Sequence, residues 1–94
     1  MNNLSAAELE RLVVLSSRLA EVQKAVGSVL QFGYNVYDPI GDGEAPTGTL
    51  LETKIVGCLL AIELLINTGD LNEDFMNQIG ETEKENFKRY LYHQ

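Results

Sequence analysis

The stretch SAAELERLVVLSSRLAEVQKAVGSVLQFG, residues 5–33, decides the fold. Leu12, Leu15, Leu19, Val22, Val26 and Val29 recur within it at alternating steps of three and four, which places them on one face of a helix. Ser5-Ala6-Ala7-Glu8 has the form of a capping box, in which the serine oxygen accepts from an orphan helix amide while the glutamate reaches back to the serine amide. Leu4 and Leu9 stand at the positions of a hydrophobic staple, and Gly33 is suited to end the helix. The spacing thus predicts one helix of about seven turns. Gly27 costs such a helix about 1 kcal/mol relative to alanine, so it predicts a neighbour packed close against it.

Working outward from that helix, Thr49-Leu50-Leu51-Glu52 repeats the capping-box form. From there to Ile66 the residues are apolar almost all round, which predicts a second, central helix covered on most sides. Asn67-Thr68-Gly69-Asp70 ends it, and Asn72 followed by Glu73 and Asp74 opens a third. Phe75, Ile79, Phe87, Tyr90 and Leu91 form a weaker stripe on this last helix. Gly80 and the polar run from Glu81 to Asn86 predict a kink or split there. Between the first two helices, residues 33–48 carry Gly33, Gly41, Gly43 and Gly48 with Pro39 and Pro46 and read as a loop. A loop of roughly sixteen residues is long for a helix–helix connection, which leaves three roles open: functional, disordered or organised by a partner subunit.

The fold class is therefore all-α, a single helical domain over residues 1–94 with two long helices and a C-terminal one. A domain this small commonly completes its core by burying a helix face on another subunit. The formal charge of −7 gives a field that repels nucleic-acid backbones and anionic membranes, so direct nucleic-acid binding is not expected. A local pair of cations can still hold a small anion against that field. The lone Cys58 excludes an intrachain disulfide and reads as a reduced, buried thiol. The N-terminus has no basic segment ahead of an apolar run, and Ile55 to Ile66 is too short to cross a bilayer. A cytoplasmic protein with no membrane partner is expected.

No phosphate-binding loop, dinucleotide fingerprint, zinc-protease motif or calcium loop is present. His93 has no evident partner for acid–base or ligand work and reads as frayed and exposed. What informs function is a likeness running through the chain. Leu19-Ala20-Glu21-Val22-Gln23-Lys24-Ala25 followed by Leu30-Gln31-Phe32-Gly33, then Leu51-Glu52 with Leu59-Leu60-Ala61-Ile62-Glu63-Leu64-Leu65, and finally Lys84 to Tyr92, resemble the successive helices of small phage-type MazG-like proteins.

That resemblance implies an all-α nucleoside triphosphate pyrophosphohydrolase fold, a MazG-like helical bundle that assembles as a dimer or tetramer and uses magnesium. The family holds its metal with a Glu-Glu-x-x-Glu run on one helix and a Glu-x-x-Asp run on the next. Carried over, the first run falls on Ser17, Arg18 and Glu21 and the second on Lys54 and Gly57. Of five acids only Glu21 remains, and two of the losses put positive charge where a cation would sit. A hard divalent ion tolerates that poorly, so neither a magnesium cofactor nor hydrolysis by this route is expected.

The same substitutions imply that Arg18 and Lys54, with Ser17, could hold phosphate directly. Phe32, Tyr34 and Tyr37 could stack on a base, although aromatics at a loop edge more often seal a core or interface. The expected activity is sequestration of a nucleotide or cyclic nucleotide, such as a defence signal in a phage-infected cell. Two alternatives stand beside it: a divergent, still active pyrophosphohydrolase with acids rearranged among Glu21, Glu52 and Glu63, and an acidic inhibitor that docks on a host protein. The plainest reading makes Arg18 and Lys54 surface residues paired with Glu21 or Glu52.

Overall fold

The capping box at Ser5 forms as the sequence implies: Ser5 Oγ accepts from the Glu8 amide at 3.1 Å, and the Ser5 amide donates to Glu8 Oε1 at 2.8 Å. From it runs α1 (Ala6–Phe32) in a computed structural model that describes residues 3–37 and 45–94. The helix ends at Gly33, whose φ of 84° lies in the region that side chains disfavour and whose amide donates to the Val29 carbonyl at 2.7 Å. Gly27, expected to mark close packing, has no neighbour within 4 Å of where a side chain would begin.

The second helix, α2 (Thr47–Asn67), starts two residues earlier than its apparent capping box at Thr49. The reason lies in the loop. The Thr47 amide donates to the Val36 carbonyl at 2.9 Å and the Gly48 amide to the Tyr34 carbonyl at 2.8 Å, so backbone takes the place of a capping side chain. Thr47 Oγ1 also donates to the Gly33 carbonyl, and Thr47 is fully buried. These bonds tie the start of α2 to the end of α1, with Tyr37 and Pro46 paired in a single antiparallel bridge. Residues 38–44 of the predicted loop lie outside the described residues.

After the loop α2 returns antiparallel along α1. Its buried residues Cys58, Ala61 and Leu65 recur at helical spacing toward α1, and Leu15, Val22 and Val29 meet them half-buried from the other side. Cys58 is a free, buried thiol. The sequence expectation that α2 is covered on most sides fails for the isolated chain. Val56, Leu59 and Leu60 are each more than half exposed.

Gly69 turns the chain, and Asn72 caps α3 (Glu73–Phe87) by accepting from the Phe75 amide at 2.9 Å. No split occurs at Gly80: α3 runs continuously through it and through the polar run to Phe87. Tyr90 and Leu91 fall beyond its end. Among the described residues no strand forms, and no helix is long and apolar enough to cross a membrane.

The tie between loop and α2 is testable through Gly48. A Cβ there would lie 2.9 Å from the Tyr34 carbonyl oxygen and 3.3 Å from its ring, so backbone would have to shift. Gly48→Ala is expected to lower stability by about 1–3 kcal/mol, read by urea unfolding. Gly80→Ala, where nothing lies within 4 Å, should instead stabilise by up to about 1 kcal/mol. Leu65→Ala, at the fully buried centre of the seam, should cost about 2–5 kcal/mol.

Candidate functional site

Antiparallel packing of α1 and α2 brings together four of the five positions carried over from the resembled family. Arg18 and Glu21 lie one turn apart on α1, and Lys54 and Gly57 one turn apart on α2. Arg18 Nη1 lies 3.3 Å from Glu21 Oε2, and Lys54 Nζ lies 3.3 Å from the same oxygen. The Arg18 side chain passes over Gly57, its Cδ 3.5 Å from where a Cβ would stand. Arg18 thus reaches across the seam to lie against α2 at Gly57, at a distance where a Cβ would meet it in ordinary contact. Ser17 is exposed on α1 and takes no part in this network among the described residues.

Two cations therefore share one carboxylate at the open edge of the seam, where all three side chains are a third to a half exposed. The Lys54 ammonium, hydrogen-bonded to Glu21, and the Arg18 charge beside it hold the Glu21 carboxyl below its usual range against partial desolvation. The cluster carries a net charge of about +1 within a chain of −7, and its hydrogen-bonding capacity is not filled: Arg18 offers five N–H donors and Lys54 three. An anion approaching from solvent would meet those donors with Glu21 as competitor.

Magnesium does not fit this donor set. Glu21 is the one carboxylate at the five positions, and the oxygen that would ligate a metal is held by two positive groups. Glu52 and Glu63 do not join it: no group of three acid, histidine or cysteine side chains suited to a metal occurs among the described residues.

The aromatic candidates stand elsewhere. Phe32 is half-buried at the last residue of α1, while Tyr34 and Tyr37 are mostly exposed in the loop that follows, Tyr34 lying against Gly48. Arg18 and Phe32 are fourteen residues apart on one helix, which separates them by about 21 Å along its axis. Within one chain the cation pair and the aromatic group are therefore two places, too far apart for the phosphate and base of one mononucleotide.

One pair with consequences for the site gave no signal in the sequence. Arg11 on α1 forms a two-pronged bond to Asp70 in the α2–α3 turn, Nε to Oδ2 at 2.6 Å and Nη2 to Oδ1 at 3.0 Å. Both side chains are largely covered, and the residues are 59 apart in the chain. Arg11 lies one turn before Leu15 and two turns before Arg18 on the side of α1 facing α2, so the bond fixes the far end of the same seam that carries the cluster. No family model, curated protein or solved structure matches the chain.

The Arg11 guanidinium holds the Asp70 carboxyl below its usual range, and the Asp70 bond raises Arg11. A carboxyl depressed in the folded state contributes stability above its unfolded pKa, and that contribution is lost as pH falls through the folded value. Asp70→Asn is therefore expected to lower the melting temperature at neutral pH. The gap from the unsubstituted protein should close progressively below about pH 4. Melting curves from pH 7 to pH 2 check this, and a gap independent of pH would assign the loss to packing alone.

Proposed function

We propose that this chain is a catalytically degenerate MazG-like protein that binds and sequesters a nucleotide or a nucleotide-derived signal without hydrolysing it, in the manner of a phage anti-defence protein. The observation carrying this reading is the convergence of Arg18 and Lys54, from two helices, on Glu21. Guanidinium and ammonium groups held together at a surface seam match the charge and geometry of a phosphate or phosphodiester. Four of the five acids that the resembled family uses to bind magnesium are absent at the matching positions and the fifth, Glu21, is paired with two cations, so the reading has no cofactor and no catalytic residue.

Binding in this scheme is an exchange of partners. The ligand's phosphate oxygens take donors from Arg18 and Lys54 that Glu21 only partly engages. The base, if held by Tyr34, Tyr37 or Phe32, belongs to a ligand long enough to reach the loop or to a different copy of the chain. The same reading has the protein acting as a homo-oligomer, a dimer or tetramer, in the cytoplasm of the infected cell.

Calorimetry against adenosine and guanosine nucleotides and cyclic dinucleotides tests the reading. A bound ligand should lose affinity by about 10- to 100-fold in Arg18→Glu or Lys54→Glu, the worth of a charge-assisted hydrogen bond. Glu21→Gln should tighten binding several-fold by freeing both cations. Failure of every ligand to bind would sink the proposal, and phosphate release from nucleoside triphosphates with magnesium and pyrophosphatase would replace it with the enzymatic alternative.

A further inference from the structure

One carboxylate of α3 stands among its apolar residues. Phe75, Met76 and Ile79 form the stripe of α3, and all three are exposed because the helix barely touches α1 or α2. At about 100° per residue Glu83 falls between Ile79 and Met76 in projection, whereas Glu73, Asp74, Glu81 and Glu85 fall outside the stripe. Its neighbours are paired where it is not: Lys84 bonds Glu81 at 3.1 Å and Lys88 bonds Glu85 at 2.9 Å, while Glu83 has no ion pair among the described residues. A carboxylate set on an apolar face needs a cationic counterpart if that face is covered.

Very little sets the direction of α3. Arg11 holds Asp70, and the Leu71 amide donates to the Leu65 carbonyl at 3.2 Å, so the turn is fixed as far as Leu71. Beyond it only Asn72 stands before the helix, in extended backbone with φ −98° and ψ 102°. Rotation at that one residue redirects the whole of α3 and breaks none of these bonds.

The flank of α2 beside the ion cluster offers the matching surface. Leu64 and Leu60 are exposed on it, and Gly57, with Arg18 lying against it, continues their row. Helix arithmetic gives the register of α3 laid back antiparallel along α2. Phe75 comes two residues after the start of α3 and Leu64 three before the end of α2, so the two stand level, and Ile79 stands level with Leu60. Glu83 lies about 12 Å beyond Phe75, and Gly57 about 10.5 Å before Leu64. The carboxylate therefore arrives where Arg18 crosses the seam, one turn from Lys54. A slip of one turn would set Ile79 or Phe87 against the cations instead.

We infer that α3 is an autoinhibitory strap: it folds back along α2 with Phe75 on Leu64 and Ile79 on Leu60, and Glu83 joins Glu21 as counterion to Arg18 and Lys54. The open cluster carries a net charge of about +1 with donors to spare, and one further carboxylate neutralises it. The occupant is the chain's own α3. Residues 68–72 tether it at the end of α2, which gives it a high effective concentration there, whereas a second copy at −7 is repelled. The regulatory sense of the strap rests on the proposed phosphate site; its closure does not.

Disulfide trapping in the full chain carrying Cys58→Ala tests the closure. Leu60→Cys with Ile79→Cys should form an intrachain disulfide about 10-fold faster than Val13→Cys with Ile79→Cys, since Val13 is exposed on the side of α1 away from α2. Added Glu83→Gln or raised salt should slow the trapping several-fold, and Glu81→Gln should not. A second reading keeps Cys58: the amide resonances of Gly57 and Leu60 should shift with Glu83→Gln and stay in place with Glu81→Gln. Where a nucleotide binds, Glu83→Gln should tighten it about 3- to 10-fold. Trapping no faster than in the Val13 pair, a disulfide formed only between chains, or Gly57 and Leu60 resonances unmoved by Glu83→Gln would overturn the inference. Trapping in a chain that binds no nucleotide would sink only the sequestration reading, and nucleotide binding without trapping would sink only the strap.

Discussion

The packing of α2 against α1 is the constraint on which everything else in the chain depends. Among the described residues only Cys58, Ala61 and Leu65 are apolar and buried, all on α2, and their counterparts on α1 are half-buried. A seam this thin leaves little hydrophobic stabilisation within one chain. Its register is nonetheless defined by polar ties at three levels: Thr47 and Gly48 to the loop backbone at one end, Lys54 to Glu21 in the middle, and Arg11 to Asp70 at the other end. Sliding α2 by one turn would break all three, so polar geometry supplies the specificity that the small core lacks.

The middle tie is also the place where chemistry can occur. Glu21 acts structurally as counterion to two cations, and that same pairing keeps both cations oriented toward one point in space. A site of this kind differs from a surface ion pair in having more donors than its internal acceptor can use. It differs from a metal centre in the sign of its net charge. The two properties have one cause, the presence of Arg18 and Lys54 where the resemblance expects acids.

The ion cluster of Arg18, Glu21 and Lys54 and the exposed Leu19 lie on different faces of the hairpin. Arg18 and Leu19 are adjacent in sequence and thus about 100° apart on α1, which turns Leu19 away from the cluster. The separation of about 21 Å between Arg18 and Phe32 then makes the loop aromatics a feature apart from the cation pair within each chain.

The sequence by itself determined the elements whose causes are local. The capping box at Ser5, the stop at Gly33, the cap at Asn72 and the amphipathic spacing of α1 involve residues within a few positions of one another, so their hydrogen bonds and periodicity are written in consecutive letters. It also placed Arg18, Glu21 and Lys54 as candidates, through family spacing and not through any visible contact. Tertiary structure alone decided what depends on register between distant segments. Backbone carbonyls of the loop, not Thr49, start α2; α3 runs through Gly80 without breaking; Arg11 finds Asp70; and Leu12, Leu19 and Val26 are left exposed while Leu15, Val22 and Val29 are half-buried. Backbone carbonyls are the same in every residue, and a pair 59 positions apart meets only once two helices have packed, so neither could be read before the fold was known.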